Sequence, residues 1–148
     1  MPNWTTVVIT MDGIDKETSL FTKTTDGELK FDFNSLIPEP KTYEEYMAGV
    51  GKFLSSAEDA HLQIDEDRPW FNWYDWHCQC WGTKWNACET SVSEDTVEFW
   101  TAWSFPAPVI EALSKKYPDR NITVEFEYED DNKRYTQEWK NGDIVSSL

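Results

Sequence analysis

The sequence has few basic residues for its length. Only 13 Lys and Arg stand against 28 Asp and Glu in 148 residues, which gives a formal net charge of −15 at pH 7. A nucleic-acid-binding protein needs a basic face that neutralises phosphates, so we expect no direct binding of nucleic acid. The charge is compatible with a basic protein or ribonucleoprotein complex as partner, and also with a role in solubility alone.

Long apolar runs are also lacking, and no signal peptide is visible. No stretch approaches the roughly 20 apolar residues that a membrane helix needs, and residues 1–4 carry no basic or apolar segment of a signal peptide. The three cysteines, Cys78, Cys80 and Cys88, are odd in number and close together, unlike the disulfide framework of a secreted domain. We therefore expect no membrane partner and a reducing, cytoplasmic location.

Aromatic residues, in contrast, are abundant. Nine Trp, eight Phe and six Tyr make up 16% of the chain, a content that disordered acidic segments do not have. Each buried ring removes roughly 150–250 Å² from water, so these residues can build a large core. We expect residues 1–148 to form one folded domain.

Hydrophobic periodicity predicts an α+β domain with an antiparallel sheet. The predicted strands cover residues 4–10, 29–33, 86–92, 97–103, 122–128 and 135–139, with a last strand after the Asn141-Gly142 hairpin signal. The predicted helices cover residues 43–57, about 69–81 and 106–116, and an acidic connection covers residues 58–67. This order predicts helices packed on one face of the sheet and a β-meander at the C-terminal end.

Candidate metal ligands and catalytic groups are few. His77, Cys78, Cys80 and Cys88 lie within twelve residues, but Cys-x-Cys in a helix sends its thiols about 200° apart, which favours buried structural thiols over a metal site. His77 and Cys78 point in different directions as neighbours on a helix, and no glycine-rich phosphate loop or nucleophile elbow occurs. We predict no cofactor, no metal and no catalytic residue; a metal-dependent enzyme is the least favoured hypothesis.

The tryptophans are candidates for both a core and a binding surface. One aromatic core is expected to contain Trp70, Trp73, Trp81, Trp85 and Trp103. Trp76 falls off the main face of its predicted helix and Trp100 lies on the opposite strand face from the apolar alternation, so both are interface candidates. A small nucleotide-type ligand stacked in a Trp-lined pocket is the alternative function, and its first candidates are Trp81, Lys84 and Trp85.

A row of carboxylates follows the predicted strand 122–128. Its members are Glu125, Glu127, Glu129, Asp130 and Asp131. Alternate side chains on a strand lie about 6.6–6.8 Å apart, close to the roughly 7 Å between phosphates along one DNA strand. Such a row can imitate nucleic acid in the basic groove of another protein. The competing interpretation is an edge strand that is kept soluble by its charge.

Several sequence blocks resemble a known family. They lie at residues 31–40, 73–77, 81–87, 99–106 and 109–114, and they include Trp-Gly-Thr-Lys-Trp-Asn at 81–86. These blocks resemble the YubB ferredoxin-like family of bacteriophages, plasmids and bacterial genomes, whose function is unassigned. The resemblance spans about residues 29–128, implies a ferredoxin-like α+β fold and carries over no catalytic residue.

Charge and resemblance together predict a non-enzymatic binding protein of a bacteriophage or another mobile element. We expect it to act in the cytoplasm of the bacterial host as an acidic inhibitor of a nucleic-acid-binding defence protein or complex, in the manner of an anti-CRISPR protein. The carboxylate row would then take the place of nucleic acid. The small-ligand module with a Trp-lined pocket remains the alternative.

Overall fold

The large sheet of this protein has six strands, which include the first and the last strand of the chain. The structure is a computed structural model that describes residues 3–50, 67–131 and 133–147. In chain order the strands and helices are β1 (Trp4–Thr10), β2 (Phe21–Lys23), β3 (Leu29–Phe31), α1 (Tyr43–Val50), α2 (α-helical over Trp73–Trp76, π-helical over His77–Trp81), β4 (Cys88–Ser93), β5 (Thr96–Ala102), α3 (Ala107–Lys116), β6 (Ile122–Tyr128), β7 (Arg134–Lys140) and β8 (Asp143–Ser147). The large sheet has the order β4-β5-β1-β6-β7-β8, and β2 and β3 form a separate hairpin.

The strand order is that of a ferredoxin-like fold. β1, β4, β5 and β6 are the four strands of a βαββαβ unit, in which β1 lies between β5 and β6 and every neighbouring pair is antiparallel. The hairpin of β2 and β3 is inserted in the first connection of this unit, and β7 and β8 extend the sheet beyond β6. The predicted α+β fold, ferredoxin-like with a C-terminal meander, is confirmed.

Alternation along the strands separates a core face from an open face. On the core face Val7 of β1 lies opposite Phe99 of β5 and Phe126 of β6, and α3 adds Val109 and Leu113 to the same buried cluster. The open face carries the alternate positions of four neighbouring strands: Trp4, Thr6 and Val8 of β1, Glu98 and Trp100 of β5, Glu125 and Glu127 of β6, and Arg134, Thr136 and Glu138 of β7.

The helix boundaries follow local capping. At the start of α1 the Thr42 hydroxyl accepts the Glu45 N–H at 3.1 Å, and the Glu45 carboxylate accepts the Lys41 N–H at 2.8 Å, which is a capping box displaced by one residue. α2 begins at Trp73 rather than near 69 because the Asn72 side chain accepts the Asp75 N–H at 3.2 Å.

Two strand boundaries, the end of β3 and the start of β4, also differ from the sequence-based expectation. β3 ends at Phe31 because Asp32 caps a short helical turn through the Asn34 N–H, and β4 starts at Cys88. The predicted continuation of α1 over 51–57, the acidic connection as far as residue 66, and Asn132 lie outside the described residues. In the described ranges no helix has the length and apolar character to cross a membrane.

Candidate interaction surface

Two of the tryptophans predicted as surface or ligand contacts lie in the core. Trp76 is 5% exposed and Trp81 is 1% exposed. The Trp81 indole N–H donates to the Ile37 carbonyl at 2.9 Å, and its ring stacks on His77 with centroids 4.2 Å apart. The prediction of Trp76 as a surface residue is wrong because the segment after it is π-helical, and its ring meets that of buried Trp81 edge to face at 5.4 Å. Trp81 is buried and therefore presents no ring surface to a ligand.

His77 is part of a satisfied structural cluster. Its Nδ1 lies 2.7 Å from the Lys84 carbonyl oxygen and its Nε2 lies 2.8 Å from Glu39 Oε2. Burial alone would raise the pKa of Glu39, but the hydrogen bond and charge of His77, helped by Arg68, outweigh it and lower the pKa. An ionised carboxylate and a carbonyl oxygen both accept hydrogen bonds, so each of the two contacts is a hydrogen bond when the His77 nitrogen in it carries a hydrogen. Both ring nitrogens therefore have a hydrogen-bond partner within the protein.

The three cysteines are free thiols of intermediate burial rather than the fully buried thiols expected. Burial is the main factor that raises the pKa of Cys78, Cys80 and Cys88 above the ordinary thiol value. A thiol with a raised pKa is a poor nucleophile and a poor metal ligand at neutral pH. Within the part of the chain that the structure describes, no three His, Cys, Asp or Glu side chains are grouped closely enough to hold a metal ion.

The predicted carboxylate row is divided between the two faces. Glu125 and Glu127 point to the open face, as alternation predicts. Asp131, in contrast, accepts the hydroxyl of Tyr135 at 2.7 Å, and Tyr135 stacks on the buried Phe126. Asp131 is therefore bonded on the core side of the sheet. The competing interpretation as an edge strand is wrong because β6 lies between β1 and β7.

The remaining carboxylates of the row have defined partners. Arg134 of β7 contacts Glu125 at 3.1 Å and Glu127 at 3.4 Å, so one cation is shared by two carboxylates. Glu129 accepts the backbone N–H of Trp4 at 2.7 Å, and the amide of Asn3 reaches Asp130 at 3.4 Å. Among the described residues no basic side chain forms an ion pair with Glu129, which keeps its negative charge uncompensated at the end of β6.

A strip of tryptophans runs along one end of the open face; it consists of Trp100, Trp4, Trp85 and Trp103. The Trp4 ring lies 5.8 Å from Trp100 and 6.3 Å from Trp85, centroid to centroid. The Lys84 ammonium lies 4.7 Å from the centroid of Trp85 and 4.5 Å from that of Trp103. Three predicted candidates, Lys84, Trp85 and Trp100, therefore meet in this tryptophan strip.

Two members of the strip, Trp85 and Trp103, are expected from the sequence in the aromatic core, but Trp85 is only half-buried and lies outside the buried core cluster. Trp100 is 40% exposed, on the opposite face from Phe99 as predicted, and Trp103 is 44% exposed. The placement of Trp103 in the aromatic core is wrong. Its backbone has a positive φ of 75° and donates its N–H to the Asn3 carbonyl at 2.8 Å, so the chain turns at the end of β5 and carries the ring outward. A bulky residue in the left-handed region is strained.

A cleft lies where the tryptophan strip meets the carboxylates. It has a volume of about 270 Å³ and is lined by Trp4, Thr6, Trp100, Glu127, Tyr128 and Glu129. Thr6 pairs with Trp100 on one side and with Glu127 on the other, so an indole and a carboxylate flank the same residue about 10 Å apart, two strand spacings. We call this feature the Trp4–Trp100 cleft.

A second cavity is larger but has no exposed indole in its lining, since Trp76 is buried. It has a volume of about 500 Å³ and is lined by residues 37–41 with Glu45, Trp76 and Cys80. Its two carboxylates are engaged, Glu39 with His77 and Glu45 with the Lys41 N–H. The Trp4–Trp100 cleft is therefore the better candidate site despite its smaller volume.

Sequence reasoning missed Trp4, Glu98 and Arg134 as surface residues of the site. Alternation in β1 places Trp4, Thr6 and Val8 on one face, but it does not say which partner residues face them. That depends on the register between β1 and its neighbours, which pairs these three residues with partners 90 or more positions away. The local signal for Trp4 is its alternation with the buried Thr5. This alternation indicates the face of the sheet on which Trp4 lies, but not the residues of β5 and β6 that lie beside it.

The comparisons with known proteins bear on the fold. Residues 80–148 match the family model described as the ferredoxin-like domain in Api92-like protein. The crystal structure of a protein api92 from Yersinia pseudotuberculosis is similar over 53% of this chain and 30% of that chain, with 16% sequence identity and a TM-score of 0.42. The chain thus spans less than a third of that protein, and no curated protein matches it in sequence. From residue 80 onward the chain is similar to the ferredoxin-like domain of Api92-like proteins, and its fold is ferredoxin-like α+β.

Proposed function

We propose that this protein is a non-enzymatic binding protein whose open face occupies a basic surface of its partner. The partner would be a nucleic-acid-binding defence protein or complex of a bacterial host, and the protein itself would come from a bacteriophage or another mobile element. The observation that carries the proposal is the open face itself, on which exposed indoles adjoin carboxylates that belong to three strands, β5, β6 and β7.

The charge on this face has a defined layout. Glu98, Glu125, Glu127 and Glu138 occupy open-face positions of β5, β6 and β7. Glu125 and Glu127 are spaced about 6.6–6.8 Å apart along their strand, and Glu98 lies about 10 Å from Glu125 across β1. An array with these spacings presents negative charge at intervals similar to those of a phosphate backbone, which supports nucleic-acid mimicry.

The exposed tryptophans contribute a different kind of contact. Indoles are favoured anchors of protein interfaces because they bury a large area at low entropic cost. A nucleotide-type ligand is the second candidate, and the exposed rings of Trp100 and Trp103 favour it. Glu127 and Glu129, which line the cleft, would repel the phosphates of such a ligand. A nucleotide is therefore a less favoured ligand than a basic protein partner.

Affinity capture from a nuclease-treated bacterial lysate tests the proposal. The bait is the full chain, and the test variant is Glu98→Gln/Glu125→Gln/Glu138→Gln, which removes three open-face charges. The matched control is Asp26→Asn/Glu28→Gln/Glu94→Gln, which removes three charges from exposed turns. We expect the wild type and the control to retain a nucleic-acid-binding protein at low salt and to lose it at high salt, whereas the test variant does not retain it.

The identity of the captured protein decides the outcome. Mass spectrometry followed by purification must yield a protein that binds DNA or RNA, and the wild-type chain must reduce that binding. Equal retention by the open-face variant and the control would contradict a role for the open face. Failure to retain any basic protein across the salt range would contradict the proposed function as a whole.

A further inference from the structure

We propose that the Trp4–Trp100 cleft is a receptor for an arginine side chain of the partner. This inference rests on the proposed function, since it specifies which group of a basic partner the open face recognises. Its basis is the position of the cleft, where the two indoles of one wall adjoin Glu127 and Glu129 of the other wall.

Two indoles of the tryptophan strip, those of Trp85 and Trp103, bind a cation within the protein, the ammonium group of Lys84. The Lys84 ammonium lies 4.7 Å from the centroid of Trp85 and 4.5 Å from that of Trp103, within the roughly 6 Å that a cation–π contact requires. Trp85 in turn contacts Trp4 with centroids 6.3 Å apart. The Trp4–Trp100 pair continues the strip toward the carboxylates, and its rings have no cation–π contact with a basic side chain of the described residues.

The charge in the cleft is complementary to a guanidinium. Glu129 is fixed by two hydrogen bonds with the Trp4 backbone, since its carboxylate accepts the Trp4 N–H and its own N–H donates to the Trp4 carbonyl. One carboxylate oxygen remains available for a ligand, and no basic side chain within the described ranges pairs with it. Glu127 is reached by Arg134 at 3.4 Å from the β7 side, which leaves its other oxygen available.

The shape of the cleft favours a single planar cation. Its volume of about 270 Å³ is close to the lower limit of the roughly 300–1,000 Å³ of small-molecule pockets and is sufficient for one arginine side chain. The centroids of the Trp4 and Trp100 rings are 5.8 Å apart, and the ring planes are tilted by 41°. A group sandwiched between two rings needs a separation of about 7 Å at normal contact distances, so no ligand group fits between these two. A guanidinium would lie against the ring faces and donate to the carboxylates, a geometry that lysine does not reproduce.

Nuclear magnetic resonance with the full chain tests this assignment. The observed signals are the indole N–H resonances of Trp4 and Trp100, assigned from single Trp→Phe variants. The probe is the peptide acetyl-Arg-Gly-Arg-Gly-Arg-amide, compared with the same peptide carrying citrulline, which has nearly the same shape without the charge, and with a lysine version of equal charge. We expect the arginine peptide to shift these two resonances, the lysine peptide to bind more weakly and the citrulline peptide to have no effect.

Variants separate the cleft from general electrostatic attraction. Trp100→Ala should weaken binding of the arginine peptide by about twofold to thirtyfold, the range for one cation–π contact, whereas Tyr43→Ala, which truncates an exposed aromatic residue on α1, should leave it unchanged. Glu127→Gln/Glu129→Gln should weaken binding more than the matched pair Glu28→Gln/Glu94→Gln.

Several results would overturn the assignment. They are equal binding of the citrulline or lysine peptide, unchanged binding by Trp100→Ala, and a nucleotide that shifts the two indole resonances when the arginine peptide does not. The proposed function fails separately. A peptide that binds as expected while no nucleic-acid-binding protein is captured would support the arginine receptor and contradict the proposed function. Capture that depends on open-face charge with no response to the peptide would contradict only the receptor.

Discussion

Truncation of one tryptophan on each face of the sheet should have very different effects on stability. Trp81→Ala removes a ring that is 1% exposed, that stacks on His77 at 4.2 Å and that meets Phe33 edge to face at 5.5 Å. Trp100→Ala is the same chemical change at a ring that is 40% exposed and that contacts Trp4 at 5.8 Å. The comparison therefore isolates burial from the nature of the side chain.

The magnitudes follow from these contacts. Loss of a fully buried tryptophan costs about 3–5 kcal/mol, and this includes the cost of leaving the Ile37 carbonyl without its donor. Loss of the exposed ring of Trp100 removes mainly one aromatic pair, about 0.5–1.5 kcal/mol. With a urea m value of about 2 kcal/mol/M, the midpoint should fall by about 2 M for Trp81→Ala and by less than 1 M for Trp100→Ala.

Urea unfolding monitored by circular dichroism measures both midpoints. Trp81→Phe provides an intermediate case, because it keeps a ring beside His77 but loses the indole N–H that donates to Ile37. We expect its midpoint to lie between those of the wild type and Trp81→Ala. A larger loss for Trp100→Ala than for Trp81→Ala would refute the assignment of the two rings to opposite faces.

Two further predictions concern pH and backbone conformation. The pKa of Glu39 is lower in the folded protein than in the unfolded chain. Its ion pair with His77 therefore stabilises the fold at pH values above the ordinary carboxyl pKa of about 4.3. This stabilisation is lost as the pH falls through the lowered pKa of the folded protein. Glu39→Gln should flatten thermal stability against pH between about pH 5 and 2, and an unchanged profile would contradict this role. Gly82→Ala should cost about 2 kcal/mol or more in urea unfolding, because the residue has φ 79° and a Cβ would lie 2.7 Å from Pro108 Cδ. Gly27→Ala, with φ 84° and open space around it, should cost only about 1 kcal/mol, and equal costs would contradict the steric argument at Gly82.

Local patterns in the sequence predicted most of the fold. The β-branched residues of β1 predicted a strand there, and the apolar alternation of β6 predicted both that strand and its buried face. Asn141-Gly142 predicted the hairpin between β7 and β8, where both residues have positive φ. The capping residues before α1 predicted its start. These signals act within a few residues, so they can be read from sequence without knowledge of tertiary contacts.

The candidate site was less predictable because it depends on contacts between distant residues. Trp4 meets Trp100 and Glu129 only through the register of three strands. Trp76 was misplaced because a π-helix follows it, and no residue type in that segment signals this change of helical period. The bond between His77 and Glu39 joins residues 38 positions apart, so its effect on the pKa of Glu39 is a property of the folded chain alone.

The central claim is that the open face replaces nucleic acid on a basic partner, and a displacement experiment tests it most directly. A fluorescently labelled DNA or RNA bound to the captured partner is titrated with the wild-type chain, the open-face variant and its charge-matched control, and anisotropy is measured at constant ionic strength. The account predicts that the wild type and the control release the nucleic acid at similar concentrations, whereas Glu98→Gln/Glu125→Gln/Glu138→Gln requires at least tenfold more, about 1.4 kcal/mol. Release by all three proteins at the same concentration, or a ternary complex without release, would contradict it.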